Sequence, residues 1–422
     1  MGRDASLSKP TNLTSEERAR IFDKTATKVT KEYFDPNYNG TGWPARAQQQ
    51  RDAIVALGDP DAFELGMHDL VRSLRTSHTG FFHQSVRRVP ARLAIGASFR
   101  RAEIDGAPRW VAQDVHEGGP GQKAGLKPLD MLNEINGSPI APPEAPMFPM
   151  GTEVELKLQR GSDELTLKVV IPPPRSRKQP YAEPKPVTSA RLEHNVGYLK
   201  VTILPGLLGL DVSRAIDAAV AELAECDRLI LDLRGHLGGG LGVLRLMSHL
   251  TPNKLPIGYT VTRRRAEQGY DKEKLRKLDR LPTDLPNMLG VATMALKYVG
   301  RDPSVALISE GLGAKRWHGR VAILVNEHTV SAGEMVSAFA AENHLATIVG
   351  TETAGRLIPG SGFKVGHGYM LIMPKAEYLT WQGRRFEGSG VKPDIEVPWS
   401  PESFAAGADN QLEAAVQFLR RL

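Results

Sequence analysis

The second half of the chain alternates two sequence patterns, and this alternation restricts the fold more than any other feature. Short apolar runs typical of buried strands are separated by longer stretches with helical periodicity. The strand-like runs are Val196–Val201, Leu229–Leu233, Val321–Val325, Thr347–Val349 and Tyr369–Met373. The helix-like stretches are Asp211–Glu225, Leu241–Leu250 and Ser331–Asn343. We therefore predict an α/β core over residues 188–422.

The chain before this core divides into three predicted regions. Residues 1–88 show helical periodicity, with Thr14 and Glu17 spaced as a capping box, and predict an N-terminal helical domain. Residues 89–172 contain alternating strand-like segments and predict a small β-barrel. Residues 173–187 are dense in proline and predict a semi-rigid, extended linker.

One segment inside the core has no assigned role. Residues 262–317 are polar, basic and broken by prolines, with an apolar helix candidate at Met288–Tyr298. A lid and a subunit contact are the two interpretations of this segment. Assembly of the chain into a homo-oligomer therefore stays open.

The composition argues against several classes of function. The 422 residues carry a formal net charge of +6, and the basic residues are mostly scattered, which gives little support to nucleic-acid binding. No set of histidines and carboxylates has metal-ligand spacing, so we expect neither a metal nor another cofactor. No apolar run is long enough to cross a bilayer, and the N-terminus lacks a signal-peptide core. As written the chain is expected to stay in the cytoplasm, although removal of a leader would leave the same sequence.

A serine lies where a strand is predicted to turn into a helix. Ser331 belongs to the hexapeptide Thr329–Glu334, between an apolar run and a helical stretch. A hydroxyl there can point off the end of a sheet, and amides of the first helical turn can stabilise negative charge on a bound carbonyl. The alternative is structural, because Ser-x-x-Glu at a helix start is also a capping box. This segment alone favours the cap.

An attacking serine also needs a base and a group that orients the base. An imidazole takes the serine proton best when a carboxylate fixes its tautomer. His78 follows an amphipathic stretch, in Ser77–Phe81, and Glu387 lies in a glycine-broken loop. Taken separately, the histidine and the glutamate can each be interpreted equally well as a solvated surface side chain.

The run Leu229–Gly240 predicts a buried strand that enters a glycine-rich turn. Glycines let backbone N–H groups approach a ligand, so Gly238 or Gly239 can donate to an oxyanion alongside the amide of Ala332. A phosphate cradle and a plain turn into the next helix are the alternatives. The Gly-Lys-Ser/Thr ending of a nucleotide-triphosphate loop is missing.

Five motifs, in this order, resemble one family, the carboxy-terminal processing or tail-specific serine peptidases. The motifs are Ser77–Phe81, Leu231–Gly239, Thr329–Glu334, Ile348–Arg356 and Gly390–Val397. The resemblance covers most of the chain. It implies a multi-domain α/β serine peptidase with a helical cap and a crotonase-like, ClpP-like catalytic core.

One position departs from the pattern of many family members, which use a serine and lysine dyad. The lysine falls about where Arg356 stands, and arginine cannot act as a base because its guanidinium does not give up its proton in proteins. The chain is therefore similar to the branch of the tricorn core protease, in which serine, histidine and glutamate act together. By that resemblance Ser331 is the nucleophile, His78 the general base and acid, and Glu387 the group that orients His78. Arg356 is then structural or contacts substrate.

Residues 89–172 resemble a PDZ domain in the motifs Leu93–Phe99, Gly118–Leu126 and Leu129–Gly137. A PDZ domain adds a peptide as an extra strand and holds its C-terminal carboxylate on backbone amides. The resemblance implies that the amides near Ile95 and Gly96 bind the tail of a protein or peptide substrate. The alternative is a barrel that only packs on its neighbour.

Two other classes of function stay open. A crotonase-like acyl-CoA enzyme also holds an oxyanion on strand-end amides, but it needs no serine nucleophile and no peptide-binding domain. An inactive relative kept as a peptide-binding scaffold is the second alternative, and the intact His78 and Glu387 argue against it.

Overall fold

A computed structural model of the chain describes residues 12–84, 88–116, 118–173, 185–298 and 302–421. Most of the predicted linker, residues 174–184, lies outside the described residues. The helices in chain order are α1 Ser15–Glu32, α2 Trp43–Ala56, α3 Pro60–Arg72, α4 Ala91–Ala94, α5 Pro120–Lys123, α6 Leu210–Glu222, α7 Val243–Ser248, α8 Arg263–Gln268, α9 Asn287–Tyr298, α10 Ala332–Glu342, α11 Pro401–Ala405 and α12 Asn410–Arg420.

The strands belong to several sheets. In chain order they are β1 Gly80–His83, β2 Arg88–Pro90, β3 Ala97–Ile104, β4 Ala107–Val115, β5 Met131–Ile135, β6 Ser138–Pro139, β7 Met147–Pro149, β8 Glu153–Arg160, β9 Asp163–Val170, β10 Val187–Leu192, β11 Val196–Val201, β12 Arg228–Asp232, β13 Pro256–Thr262, β14 Arg276–Leu278, β15 Val305–Ile308, β16 Arg320–Val325, β17 Thr347–Gly350, β18 Gly360–Gly366, β19 Tyr369–Pro374, β20 Ala376–Thr380 and β21 Ile395–Glu396. The predicted mixed α/β, multi-domain fold is confirmed.

The chain forms two compact units whose boundaries differ from the predicted domains. The large unit consists of Met1–Ser85, Ser189–Val397 and Ala415–Leu422. The small unit consists of Val86–Thr188 and Pro398–Ala414. The N-terminal helical region thus belongs to the same unit as the α/β core.

A shared hydrophobic core explains why the N-terminal helices join the α/β core. Strand β1 pairs antiparallel with β19, a partner almost three hundred residues later in the chain. The rings of Phe63 in α3 and Phe81 in β1 both pack on Tyr369, at centroid distances of 5.9 and 5.1 Å. All three side chains are buried, and removing such a ring from a core costs about 3–5 kcal/mol. This packing fixes the loop that precedes β1, which contains His78.

The N-terminal helix begins as its sequence predicts. Thr14 accepts from the Glu17 amide at 3.2 Å, and the Glu17 carboxylate accepts from the Thr14 amide at 2.9 Å. This reciprocal capping box satisfies two amides that the helix itself leaves without partners.

The α/β core is built on a six-stranded sheet in the order β10-β11-β12-β16-β17-β21. Neighbouring strands from β11 to β21 run parallel, and α6, α7 and α10 lie in the connections. The strands are apolar and buried along most of their length, as expected for a parallel sheet covered on both faces. Their carboxyl ends meet at one edge, which is where open α/β sheets bind ligands.

The small unit is mostly an antiparallel sheet in the order β3-β4-β5-β8-β9, with β6 added to β5 and a separate β2–β7 pair. Alternate side chains such as Leu132, Val154, Leu156 and Leu158 fill its interior. Strand β3 stands at the end of this order. Among the described residues of either unit, no helix is both long enough and apolar enough to cross a membrane.

Candidate active site

Ser331 lies at the carboxyl edge of the parallel sheet, between the end of β16 and the start of α10. Its backbone angles are φ 54° and ψ −113°, a conformation that L-residues other than glycine rarely adopt. Such strain persists only where neighbouring structure enforces it, and it is common at functional sites. The observation supports the nucleophile interpretation of the serine, because an ordinary N-cap has extended backbone angles.

A fully buried carboxylate holds this strained residue. The Oε2 atom of Glu334 accepts from the amides of Ser331 and Arg356, each at 2.9 Å. The Oε1 atom accepts from the Thr353 hydroxyl and the Gly355 amide, each at 2.7 Å. Burial raises the pKa of the Glu334 carboxyl, and these donors act in the opposite direction. The capping-box and nucleophile interpretations are therefore compatible, because the carboxylate that caps the helix also fixes the turn.

Hydrogen bonds connect the loop that follows β12 to the loop that follows β16. The Thr329 hydroxyl donates to the carbonyl of Leu233 at 2.8 Å and accepts from the amide of Asn326 at 3.0 Å. The Asn326 side chain in turn accepts from the amide of Gly235 at 2.9 Å. These bonds tie the glycine-rich loop to the loop that carries Ser331, so the two loops form one rigid platform.

The aspartate of the Leu231–Gly239 motif is structural. Asp232 is buried and accepts from the Arg234 guanidinium at 2.8 Å and the Tyr198 hydroxyl at 2.6 Å. Burial acts to raise the pKa of Asp232, but the charges of Arg234 and Lys200 outweigh it and hold that pKa well below its ordinary value. The pair anchors the start of the glycine-rich loop.

The glycine-rich loop contacts the serine directly. Gly238 has φ 83°, and a Cβ atom there would lie 2.8 Å from the Cβ of Ser331. Gly239 forms a parallel bridge with Leu204. Within the described part of the chain, the amides of Gly238, Gly239 and Ala332 donate to no acceptor. Amides without an acceptor beside a serine are candidate donors to an oxyanion.

His78 lies in the loop before β1, with φ 56°. Its Nδ1 atom is 2.9 Å from the Ser77 hydroxyl, and a Cβ at Gly360 would lie 2.9 Å from its Cβ. Desolvation by the surrounding protein, with a smaller contribution from the Arg356 guanidinium, lowers the pKa of the imidazole even though the side chain remains exposed to solvent. The ring is therefore held in its neutral, basic form near pH 7.

Glu387 contacts the residue before the histidine. Its Oε1 accepts from the Ser77 amide at 2.6 Å, and its Oε2 accepts from the Ser77 hydroxyl at 3.0 Å. The direct contact with His78 expected from the family resemblance is thus replaced by a bridge through Ser77. Ser77 belongs to the Ser77–Phe81 motif, and its position next to the histidine is the one sequence signal for this role.

The loop that carries Glu387 is held by Thr353 and Gly355. The Thr353 hydroxyl accepts from the amide of Val391 at 2.7 Å, and the Gly355 carbonyl accepts from the amide of Gly388 at 2.8 Å. The same two residues donate to the buried carboxylate beneath the candidate nucleophile. One continuous hydrogen-bond network therefore joins the nucleophile turn to the loop of the candidate acid and, through Ser77, to the histidine.

The remaining predicted site residues have mixed outcomes. Arg356 contributes its amide to the network and its positive charge to the surroundings of His78, and neither contact assigns it to substrate.

In the small unit the amide of Ile95 already donates to the carbonyl of Ala91 at 2.8 Å, so Ile95 is not a free donor for a carboxylate. The short helix α4 ends there, which the strand-based reasoning did not anticipate. The Gly96 amide has no acceptor within the part of the chain that the structure describes.

No group of three or more histidine, cysteine, aspartate or glutamate side chains able to hold a metal ion occurs in the described ranges. The groups that the hydrogen-bond network connects are a hydroxyl, an imidazole bridged to a carboxylate, and backbone amides. Such a set suits acyl transfer.

The chain is similar in sequence to known proteins. Residues 195–397, a little under half of the chain, match peptidase family S41. The chain is 27% identical over 284 residues, 66% of its length, to a protein of Staphylococcus epidermidis named "Probable CtpA-like serine protease". It is 24% identical over 422 residues, 95% of its length, to tricorn protease homolog 1 of Streptomyces coelicolor. These matches span 48% of the first relative and 35% of the second, so the chain spans about half or less of their length.

The fold is shared with a solved structure over nearly the whole chain. The photosystem II D1 C-terminal processing protease superposes with a TM-score of 0.59 at 17% identity, covering 95% of this chain and 97% of that one. The coverage includes both units of the present structure.

Proposed function

We propose, from the membership of residues 195–397 in peptidase family S41, that this chain is a serine peptidase that cleaves peptide bonds of protein or peptide substrates by acyl transfer to Ser331. The observation that carries the proposal is the network that connects the strained Ser331 turn, through Glu334 and the loop of Glu387, to Ser77 and His78. Three distant segments of sequence are joined by it.

The proposed reaction begins with proton transfer. If Ser77 donates its single hydroxyl proton to Glu387, its oxygen accepts from Nδ1–H of His78, which leaves Nε2 of the imidazole unprotonated. Nε2 then removes the proton of Ser331 as the hydroxyl oxygen attacks the substrate carbonyl carbon. The bridged carboxylate stabilises the imidazolium that results.

The tetrahedral intermediate places negative charge on the former carbonyl oxygen. The amides of Ala332 and of Gly238 or Gly239 are the proposed donors to this oxyanion, and such donors contribute roughly 10²–10³ in rate each. The imidazolium protonates the leaving amine, and the acyl-enzyme is hydrolysed by a water molecule that His78 deprotonates. No cofactor takes part in these steps.

The small unit is proposed to capture or gate the substrate in the manner of a PDZ domain. Strand β3 stands at the end of its sheet, so an extended peptide can add beside it. The Gly96 amide, rather than that of Ile95, is the candidate donor to a C-terminal carboxylate. We expect the substitution Phe99→Pro in β3 to abolish peptide binding. The midpoint temperature at which the large unit unfolds should stay unchanged.

Active-site labelling tests the proposed chemistry. A fluorophosphonate should label the chain covalently at Ser331, and Ser331→Ala should abolish both the labelling and the hydrolysis of casein. His78→Ala should lower the hydrolysis rate by several orders of magnitude while leaving the fold intact. Coenzyme A binding without labelling would favour the acyl-CoA alternative, and peptide binding without labelling would favour the scaffold.

A further inference from the structure

Helix α9 exposes most of its apolar side chains. Met288 is 87% exposed and Leu296 is 83% exposed, and Leu289 and Val291 are more than half exposed. Of the α9 side chains that the structure describes, only Met294 and the glycine Gly290 are buried. An amphipathic helix on a protein surface normally buries its apolar stripe, so this pattern indicates a surface that binds an apolar partner.

This helix is firmly attached at its N-terminal end. The Arg214 guanidinium donates to the side chain of Asn287 at 2.8 Å, to the carbonyl of Leu285 at 2.8 Å and to that of Thr283 at 3.1 Å. A Cβ at Gly290 would lie 2.8 Å from Cδ1 of Leu210, so the helix backbone packs closely on the start of α6. The apolar face is therefore displayed from a fixed position.

A further exposed apolar side chain lies in the segment that leads into α6, the helix on which α9 packs, and this segment contacts the loop of the candidate oxyanion donors. Leu207, three residues before Leu210, is 82% exposed. Its carbonyl accepts from the amide of Leu241 at 2.8 Å, and a Cβ at Gly240 would lie 2.4 Å from that carbonyl oxygen. Gly240 is two residues from Gly238, a separation of at most roughly 7 Å along an extended chain. The backbone of Leu207 is thus separated from Gly238, where a scissile carbonyl would be held, by about the length of two residues of an extended substrate.

We propose that Leu207 and the exposed face of α9 form an apolar subsite that binds leucine-like side chains of an extended polypeptide substrate close to the scissile bond. The inference rests on the proposed function, and it adds the substrate class: unfolded segments rich in large aliphatic residues. The closeness of Leu207 to the loop of the candidate oxyanion donors favours a substrate over other occupants. The face also carries a single charge, Lys297, so it offers little to a charged partner.

Binding to an inactive form of the full chain tests this subsite without relying on catalysis. Two fluorescein-labelled dodecapeptides of equal charge, one with leucine and one with serine at alternate positions, are titrated into Ser331→Ala protein and followed by anisotropy. We expect the leucine peptide to bind at least roughly tenfold more tightly, as burial of one or two aliphatic side chains predicts. Adding Leu207→Ser, Met288→Ser and Leu296→Ser should remove that preference.

The matched control is Leu65→Ser, which makes the same change at a leucine of α3 that is 61% exposed. It should leave the affinity for the leucine peptide unchanged. Equal affinity for the two peptides, or an unchanged affinity in the triple variant, would overturn the subsite whether or not the chain hydrolyses peptides. Fluorophosphonate labelling of the chain with Ser331 intact reports separately on the proposed function.

Two other occupants give distinguishable results. Sedimentation that shows a dimer dissociated by the triple change, with peptide affinity retained, would assign the face to a second copy of the chain. Flotation with phosphatidylcholine vesicles that the triple change abolishes, again with peptide affinity retained, would assign it to a lipid surface. Either result overturns the substrate subsite.

Discussion

Ser77 binds Glu387 twice, through its amide at 2.6 Å from Oε1 and through its hydroxyl at 3.0 Å from Oε2. The same hydroxyl is 2.9 Å from Nδ1 of His78. The carboxylate therefore acts on the imidazole through an intervening hydroxyl. This arrangement makes Ser77 the residue on which the orientation of His78, the proposed base, depends.

Removing this hydroxyl should slow the reaction without unfolding the protein. We expect Ser77→Ala to lower kcat/KM for casein peptides by roughly 10–100-fold, the usual effect of losing a group that orients a functional side chain. Ser77→Thr keeps the hydroxyl and should restore most of the rate. Ser73→Ala removes a nearby hydroxyl that donates only to the carbonyl of Leu70, and it serves as the control. Wild-type kinetics in Ser77→Ala would show that the bridge has no role.

The positive charge of Arg356 should be visible in the pH dependence of the rate. Desolvation and this guanidinium both lower the pKa of His78, so the acid limb of kcat/KM should fall below the ordinary histidine value of about 6.5. Removing a neighbouring cation makes protonation of the imidazole easier and raises its pKa. Arg356→Gln should therefore move the acid limb to higher pH.

The control for this measurement is Arg384→Gln, which removes an exposed guanidinium that stacks on Phe386 and does not act on His78. Its acid limb should coincide with that of the unmodified chain. An acid limb that stays in place in Arg356→Gln, or that moves equally in both variants, would contradict the assignment of His78 as the titrating base.

Gly238 should tolerate no side chain. Gly238→Ala places a methyl group 2.8 Å from the Cβ of Ser331. It should slow fluorophosphonate labelling by roughly a hundredfold, because the proposed nucleophile and the proposed oxyanion donor would both be displaced. Gly269→Ala is the matched control, with φ 77° and no atom within 4 Å of the added methyl. Both changes carry the backbone cost of about 1 kcal/mol, so a difference in labelling rate isolates the contact with Ser331.

The elements set by local pattern were predictable from the sequence. The apolar runs predicted β11, β12, β16, β17 and β19, and the capping pair at Thr14 and Glu17 was found in place. The helix at Met288–Tyr298 was predicted from its apolar content, although its exposure was not. The family resemblance found in five motifs agrees with the match of residues 195–397 to peptidase family S41.

The contacts that complete the candidate site depend on residues far apart in the chain. Ser77 and Glu387 are 310 residues apart, so no local pattern connects them. The capping-box spacing predicted that Glu334 binds the Ser331 amide, but it could not reveal the donors that Thr353 and Gly355 supply from beyond the next strand. The sequence likewise predicts a separate N-terminal helical domain. The β1–β19 pairing that joins these helices to the core is long-range, so no local pattern reveals it.

The buried carboxylate of Glu334 should be needed both for stability and for the shape of the nucleophile turn. Its two oxygens accept from four donors, and a glutamine can offer only one accepting oxygen. In Glu334→Gln the side-chain NH2 group would face two of those donors. The free energy lost by leaving these donors without an acceptor exceeds the free energy gained by no longer burying a charge. We expect a loss of about 3 kcal/mol in the free energy of unfolding by urea, together with slower fluorophosphonate labelling.

Glu342 in the same helix provides the matched control for this change. Burial raises the pKa of Glu342 as it does that of Glu334, but hydrogen bonding to Glu342 comes chiefly from the Thr380 hydroxyl at 2.8 Å, which one amide oxygen can accept. Glu342→Gln should therefore lower the free energy of unfolding by less than about 1 kcal/mol and leave labelling unchanged. Equal losses of unfolding free energy in the two variants would mean that the removal of a buried charge causes the loss. Amides left without an acceptor in the turn of Ser331 would then not be its cause. The strained backbone of Ser331 would then need another cause.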